Sequence, residues 1–186
     1  MSIAEWKDFG IPEGYGPHRL LYNAPSETII IELRSIGNEF SPNRIYIRRK
    51  DDPKYEPIKS FEPMDSYESV VSSSGRPMLF YLSYRITKRE DHYGADWLGL
   101  YCFEIPSQTE TEIVGKDSLL LPPPYNRGWV SALVSASEDA STLVLTVGMT
   151  VEDDSPGFHK VDYHLASMHL ETRQLQFISQ LKGCFF

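Results

Sequence analysis

The stretch VVSSSGRPMLFYLSY, from Val70 to Tyr84, returns further along the chain as LVSASEDASTLVLTV, from Leu133 to Val147. Each copy sets an apolar pair before a cluster of turn-forming residues and closes on an apolar run. That order of residues marks two strands joined by a tight turn. A third copy precedes both: Leu20-Leu21-Tyr22, then Asn23 to Glu27, then Thr28 to Ile31. Between the first copy and the second the spacing is constant. Between the second and the third it grows by one inserted turn residue.

The correspondence continues downstream. Phe103 to Ile113 matches Met168 to Ile178 at uniform spacing, and Tyr46 to Ile58 is a looser copy of Tyr101 to Ile113. Thr28 to Leu33, Met78 to Leu82 and Thr142 to Val147 are continuous apolar runs of strand length, suited to burial on both faces. Arg44 to Arg48 and His164 to Leu170 alternate, as half-exposed strands do. Ser167 to Leu181 has helix-forming residues, but its repeat partner predicts two strands around Glu171-Thr172-Arg173. Each unit thus reads as four strands of an antiparallel meander. The expected organisation is a single domain over 1–186, with repeats at about 18–59, 66–114 and 129–181 and an N-terminal extension over 1–17.

Short four-stranded sheets cannot cover their own apolar faces and must stack on neighbours. The predicted fold is therefore all-β: a β-propeller-type array of three four-stranded blades, about 12 strands, forming a partial or half propeller. Ser72-Ser-Ser-Gly-Arg-Pro-Met-Leu-Phe80 resembles the Ser-x-Asp-Gly-x-x-Leu-x-Phe turn of TolB-like propeller repeats. Trp97 to Glu110 and Tyr163 to Leu175 are similar to the hairpin that closes such blades. The resemblance covers roughly 18–181 and implies architecture rather than activity, since the fold hosts unrelated functions. Propellers usually need four or more blades. Two chains completing a six-bladed ring, an open arc capped by the N-terminal extension, or a longer parent chain would each resolve the count.

Composition narrows the partners. Eighteen basic residues against 26 acidic ones give a net charge of −8 and a pI near 5.1. Nucleic acid and anionic membrane are not expected partners. The N-terminus lacks a leader-type apolar segment, no apolar run reaches bilayer-spanning length, and two cysteines do not make a disulfide framework. A cytoplasmic location is expected. The expected partner is a protein, or a second copy meeting exposed blade faces in a homodimer.

Alternating strand direction puts the longer loops at one end, and binding residues concentrate in such loops. The candidate ligand-binding residues are Asp91, His92 and Tyr93 in one loop, Tyr125, Arg127 and Trp129 before the third repeat, and His159. Asp91, His92 and Asp96 have metal or acid–base chemistry available, although a solvated hairpin tip also accounts for them. Asp153-Asp154 lacks the alternating oxygens and glycine of a calcium loop. His164 and His169 lie an odd number of positions apart on one strand, hence on opposite faces and roughly 16 Å apart, too far to share an ion. No nucleophile elbow, phosphate-cradling glycine loop or Cys/His pair is present, so no catalytic residue, cofactor or metal is assigned. The expected function is a non-catalytic binding or scaffold module that recognises a protein or small ligand on the long-loop face. The resemblance also implies a metal-dependent oligosaccharide lyase as an alternative, and the blade count implies a purely architectural half-ring.

Overall fold

The computed structural model of the chain describes residues 7–37, 41–59, 62, 64–88, 93–151 and 160–181. After a 3-10 turn at Lys7–Phe9, twelve strands follow among the described residues, in three antiparallel sheets. The first sheet is β1 (Tyr15–Asn23), β2 (Thr28–Ser35), β3 (Arg44–Arg49) and the two-residue β4 (Glu56–Pro57). The second is β5 (Asp65–Ser72), β6 (Met78–Lys88), β7 (Tyr93–Glu104) and β8 (Thr109–Gly115). The third is β9 (Arg127–Ala136), β10 (Thr142–Thr150), β11 (Val161–His169) and β12 (Gln174–Leu181). Each sheet pairs its strands in chain order, so each is the meander that the sequence predicts.

The three continuous apolar runs lie in β2, β6 and β10, the strands that bury side chains on both faces. Ile30 and Leu79 meet between the first and second sheets, together with Ile45, Tyr81 and Phe103. Phe80, Leu82 and Leu100 turn the other way, onto Val130, Leu143, Leu145, Val147 and Met149 of the third sheet. Period-two alternation therefore makes the second sheet the filling of a three-layer stack. Beyond the first sheet, Ile11 and Tyr55 pack with Ile31 and Leu33.

The ladders repeat down to their irregularities. Tyr81 pairs with Tyr101 and Leu145 with Ala166, while Leu100 pairs Val114 past an unpaired Ile113. Leu165 pairs Ser179 past an unpaired Ile178, the same bulge one repeat on. In three tight turns the residue before the return strand is left-handed without being glycine: Glu27 at φ 49°, Gln108 at 55° and Arg173 at 57°.

A side-chain clamp joins successive turns. Asn23, 0% exposed, donates from Nδ2 to the Ser73 carbonyl at 3.0 Å, the Arg76 carbonyl at 2.9 Å and Ser72 Oγ at 2.8 Å. Ser73 occupies the matching position of the second sheet, and its Oγ reaches the Ser137 carbonyl at 3.0 Å and the Glu138 carbonyl at 2.7 Å. The Ser69 Oγ adds a strand-to-strand link by accepting the Leu133 N–H at 2.7 Å.

Cys102 is a half-buried free thiol on β7. Burial, then Glu104, pushes it up to about 11 from 9.0. Such a rise leaves about one-hundredth of the thiolate that an ordinary thiol shows at mildly alkaline pH. In a Cys184→Ser background, iodoacetamide labelling at pH 8 is expected to run about 100-fold slower than for an ordinary thiol. A rate near that of a free thiol would mean that β7 is not sealed by the third sheet.

Candidate functional site

Where β6 and β7 run on past the three-layer core, the second and third sheets separate into a cleft of about 210 Å³. Tyr84 and Trp97, cross-strand partners beside a bulge, supply its second-sheet wall. Arg127, Gly128 and Trp129 close it from the start of β9, and Lys116 and Asp117 roof it from the connector after β8. That connector is held over the cleft by the Lys116 N–H donating to the Leu98 carbonyl at 2.9 Å.

Three local features shape the cleft. The Tyr84 hydroxyl donates to the Val130 carbonyl at 3.1 Å, fixing the ring across the floor. Burial, followed by Glu68 and Tyr163, holds this phenol well above its ordinary range, so it stays a neutral donor. Gly128 is required by its neighbours: a Cβ there would meet Leu121 Cδ2 at 2.9 Å and the Gly148 carbonyl at 3.0 Å. Trp97 is only 8% exposed, and its indole N–H makes no hydrogen bond among the described residues. A buried donor left so is costly, on the order of 1–3 kcal/mol. Two acids, Asp96 and Asp117, face two bases, Lys116 and Arg127, so the lining is polar without a net formal charge.

The sequence-derived candidates divide among several places. Arg127 and Trp129 reach the cleft, although the Trp129 indole itself lies over Gly148, where a Cβ would come within 2.8 Å of Cε2. Both belong to β9 rather than to a loop. Tyr93 opens β7 opposite Lys88, and Asp96 pairs with Arg85 in the ladder, so the β6–β7 hairpin is longer and its loop shorter than expected. Asp91, His92 and His159 lie outside the described residues. Tyr125 turns away from the cleft: its hydroxyl donates to Asp162 Oδ2 at 3.0 Å, and its ring meets His164 edge-on at 6.3 Å. Lys160 pairs with the same carboxylate at 2.9 Å and, as the main cause, holds Asp162 below its ordinary value.

Tyr84 and Trp97 carry no sequence signal of their own, because aromatic residues in strand-like runs read as core. Comparison of the repeats does mark Tyr84, whose counterpart in the third repeat is Gly148. A second polar cluster is equally silent in the sequence. Lys59 Nζ sits 2.7 Å from Glu110 and over the rings of Tyr67 at 4.8 Å and Tyr101 at 5.3 Å, with Tyr81 bonded to Glu110. This cage is filled by the chain's own ammonium and ties the first sheet's exit to the second. Among the described residues no three His, Cys, Asp or Glu side chains converge as a metal set would. No helix among them is long and apolar enough to cross a membrane.

No protein-family model matches the chain, and no curated protein matches it. Solved structures do. An oligogalacturonate lyase in complex with manganese is 13% identical, with a TM-score of 0.47 over 91% of this chain and 49% of its own. An oligogalacturonate lyase from Vibrio parahaemolyticus is 14% identical, with a TM-score of 0.45 over 87% of this chain and 46% of its own. A putative TolB from Agrobacterium tumefaciens is 11% identical, with a TM-score of 0.38 over 91% and 65%. The chain spans about half the length of the two lyases. At such identities and scores the similarity reaches no further than architecture, and the sheet registers define the fold by themselves. In that architecture, three four-stranded antiparallel blades, the chain resembles TolB-like propellers.

Proposed function

We propose that the chain is a non-catalytic binding module that takes a small ligand in the cleft between Trp97 and Arg127. The carrying observation is Trp97, which lines the cleft and whose buried indole N–H makes no hydrogen bond among the described residues. A ligand acceptor that reached this N–H through a small shift of the cleft wall would remove the cost of that buried donor. At about 210 Å³ the cleft is small. Drug-sized pockets begin at roughly 300 Å³. A single polar ring fits this size, with an apolar face for Trp97 and hydroxyl or carboxyl oxygens for Lys116 and Arg127. A monosaccharide or sugar acid has that chemistry. The half-buried free thiol of Cys102 suits the reducing, cytoplasmic setting that belongs to this proposal.

The test is saturation-transfer NMR of the whole chain against a panel of monosaccharides and sugar acids. Ring protons of at least one member should receive saturation, and Trp97→Phe should weaken that binding about tenfold, the worth of one hydrogen bond. Silence across the panel, or a signal indifferent to both Trp97→Phe and Arg127→Ala, would overturn the assignment.

A further inference from the structure

The stack ends in two unlike faces, and each repeats one side of an interface that the chain already contains. Phe80, Leu100 and Ile113 cover the second sheet on the side of the third and are 1%, 0% and 7% exposed. Their register counterparts are Val144, Leu165 and Ile178 on the far face of the third sheet. All three remain apolar, yet Val144 and Leu165 are only half-buried and Ile178 is 57% exposed. At the opposite end, Leu20 of the first sheet corresponds to Val70 and Leu133. Those two are buried against the preceding sheet at 0% and 5%, whereas Leu20 is 60% exposed. The far face of the third sheet is thus patterned to receive a following sheet, and the near face of the first to follow one.

The clamp repeats the same polarity. Asn23 and Ser73 each donate to the turn of the next sheet. Ser137, third in the series, donates at 2.7 Å to its own neighbour Asp139. Its Oγ still accepts the Thr142 N–H at 2.9 Å, as Asn23 Oδ1 accepts that of Ser26, so only the outgoing bond is redirected. The segment at Phe9 and Ile11 covers the outer part of the near face of the first sheet, where Ile11 packs on Ile31 and Leu33. It docks beside Tyr55, whose N–H donates to the Phe9 carbonyl at 2.7 Å, next to the outer strand β4. Leu20 and Tyr22, on the inner strand, stay exposed.

We infer that the occupant of the far face, and of the open inner part of the near face, is a second copy of this chain, with the third sheet of each copy stacked on the first sheet of the other to close a six-sheet ring. One chain carries both halves of the contact, and two such contacts related by a two-fold axis leave neither face open. A third-sheet-to-third-sheet pairing would instead set two outgoing faces together, with no incoming turn for Ser137.

Light scattering on the intact chain across about 1 to 100 µM tests this by mass action. Twice 21.3 kDa is the expected mass. A monomer throughout, or a mass that keeps growing with concentration, overturns the ring. Ile178→Glu and Leu20→Glu, both at exposed positions, should each give a monomer with an unchanged far-UV spectrum. Val134→Glu replaces the first should it misfold. Mixing the two variants should restore a dimer, because one of the two contacts then joins wild-type surfaces. Loss of the dimer in the Ile178 variant but not in the Leu20 variant, or no recovery on mixing, overturns the head-to-tail arrangement. Ligand binding in the cleft between the second and third sheets is measured separately and stands or falls apart from this result.

Discussion

Replacing Leu143 with aspartate is expected to leave no cooperatively folded chain at room temperature. Leu143 is 0% exposed on β10 and faces the second sheet among Phe80, Leu82 and Leu145. Removing a buried leucine costs about 2–5 kcal/mol through lost transfer energy and the cavity left behind. An unpartnered carboxylate in that layer adds several kcal/mol more, whether it stays charged or takes up a proton. The sum is comparable to the whole stability of a small domain, about 5–15 kcal/mol. Circular dichroism should lose its strand signal and its melting transition. Val134→Asp, at a position 51% exposed, should keep both. A soluble Leu143→Asp protein with unaltered melting would show that the second and third sheets do not share this core.

The second large effect is expected at the turn end of the stack. Asn23→Ala removes five hydrogen bonds from one buried side chain, three donated by Nδ2 and two accepted by Oδ1 from Ser26, and leaves the Ser73 and Arg76 carbonyls without that donor. At roughly 1–3 kcal/mol per orphaned buried group, a loss of about 3 kcal/mol follows. For a chain of this size that lowers the melting temperature by about 10 °C. Asn23→Asp should be worse, because a carboxylate would face two carbonyl oxygens. Ser73→Ala, which deletes one hydroxyl shared by two carbonyls, should cost less. Thermal melts of the three variants give the order. Equal melting for Asn23→Ala and wild type would mean that apolar stacking alone holds adjacent turns together.

Much of this architecture is legible in the sequence because the signal comes three times. A single Ser-Gly-Arg-Pro turn says little, whereas three turns in matching places, after Tyr22, Ser72 and Ser135, fix which strands pair with which. Even Ser167 to Leu181, whose composition favours helix, is placed as two strands by its counterpart in the second repeat. Tertiary context overrides such weak propensities. Strand lengths are less legible. Gly94, Ala95 and Asp96 belong to β7 because Arg85 to Thr87 continue the ladder opposite them, and pairing of that kind is non-local. The cleft is the least legible part. Arg127 and Trp129 are visible as polar and aromatic residues before a strand. Tyr84 and Trp97 are hidden because a wall aromatic and a core aromatic share the same period-two spacing. Trp97 is distinguished by where its indole N–H fails to find a partner, a fact of three dimensions.

The clamp has one more consequence. Because Asn23 and Ser73 hand their bonds forward and the turns of the second and third sheets receive them from behind, both junctions are made through the same pair of complementary sides. Contacts of this kind are indifferent to how many modules are strung together. Copy number is then governed by geometry, through the angle between successive sheets. Duplicating or deleting one whole module would keep every junction chemically satisfied while altering the length of the stack.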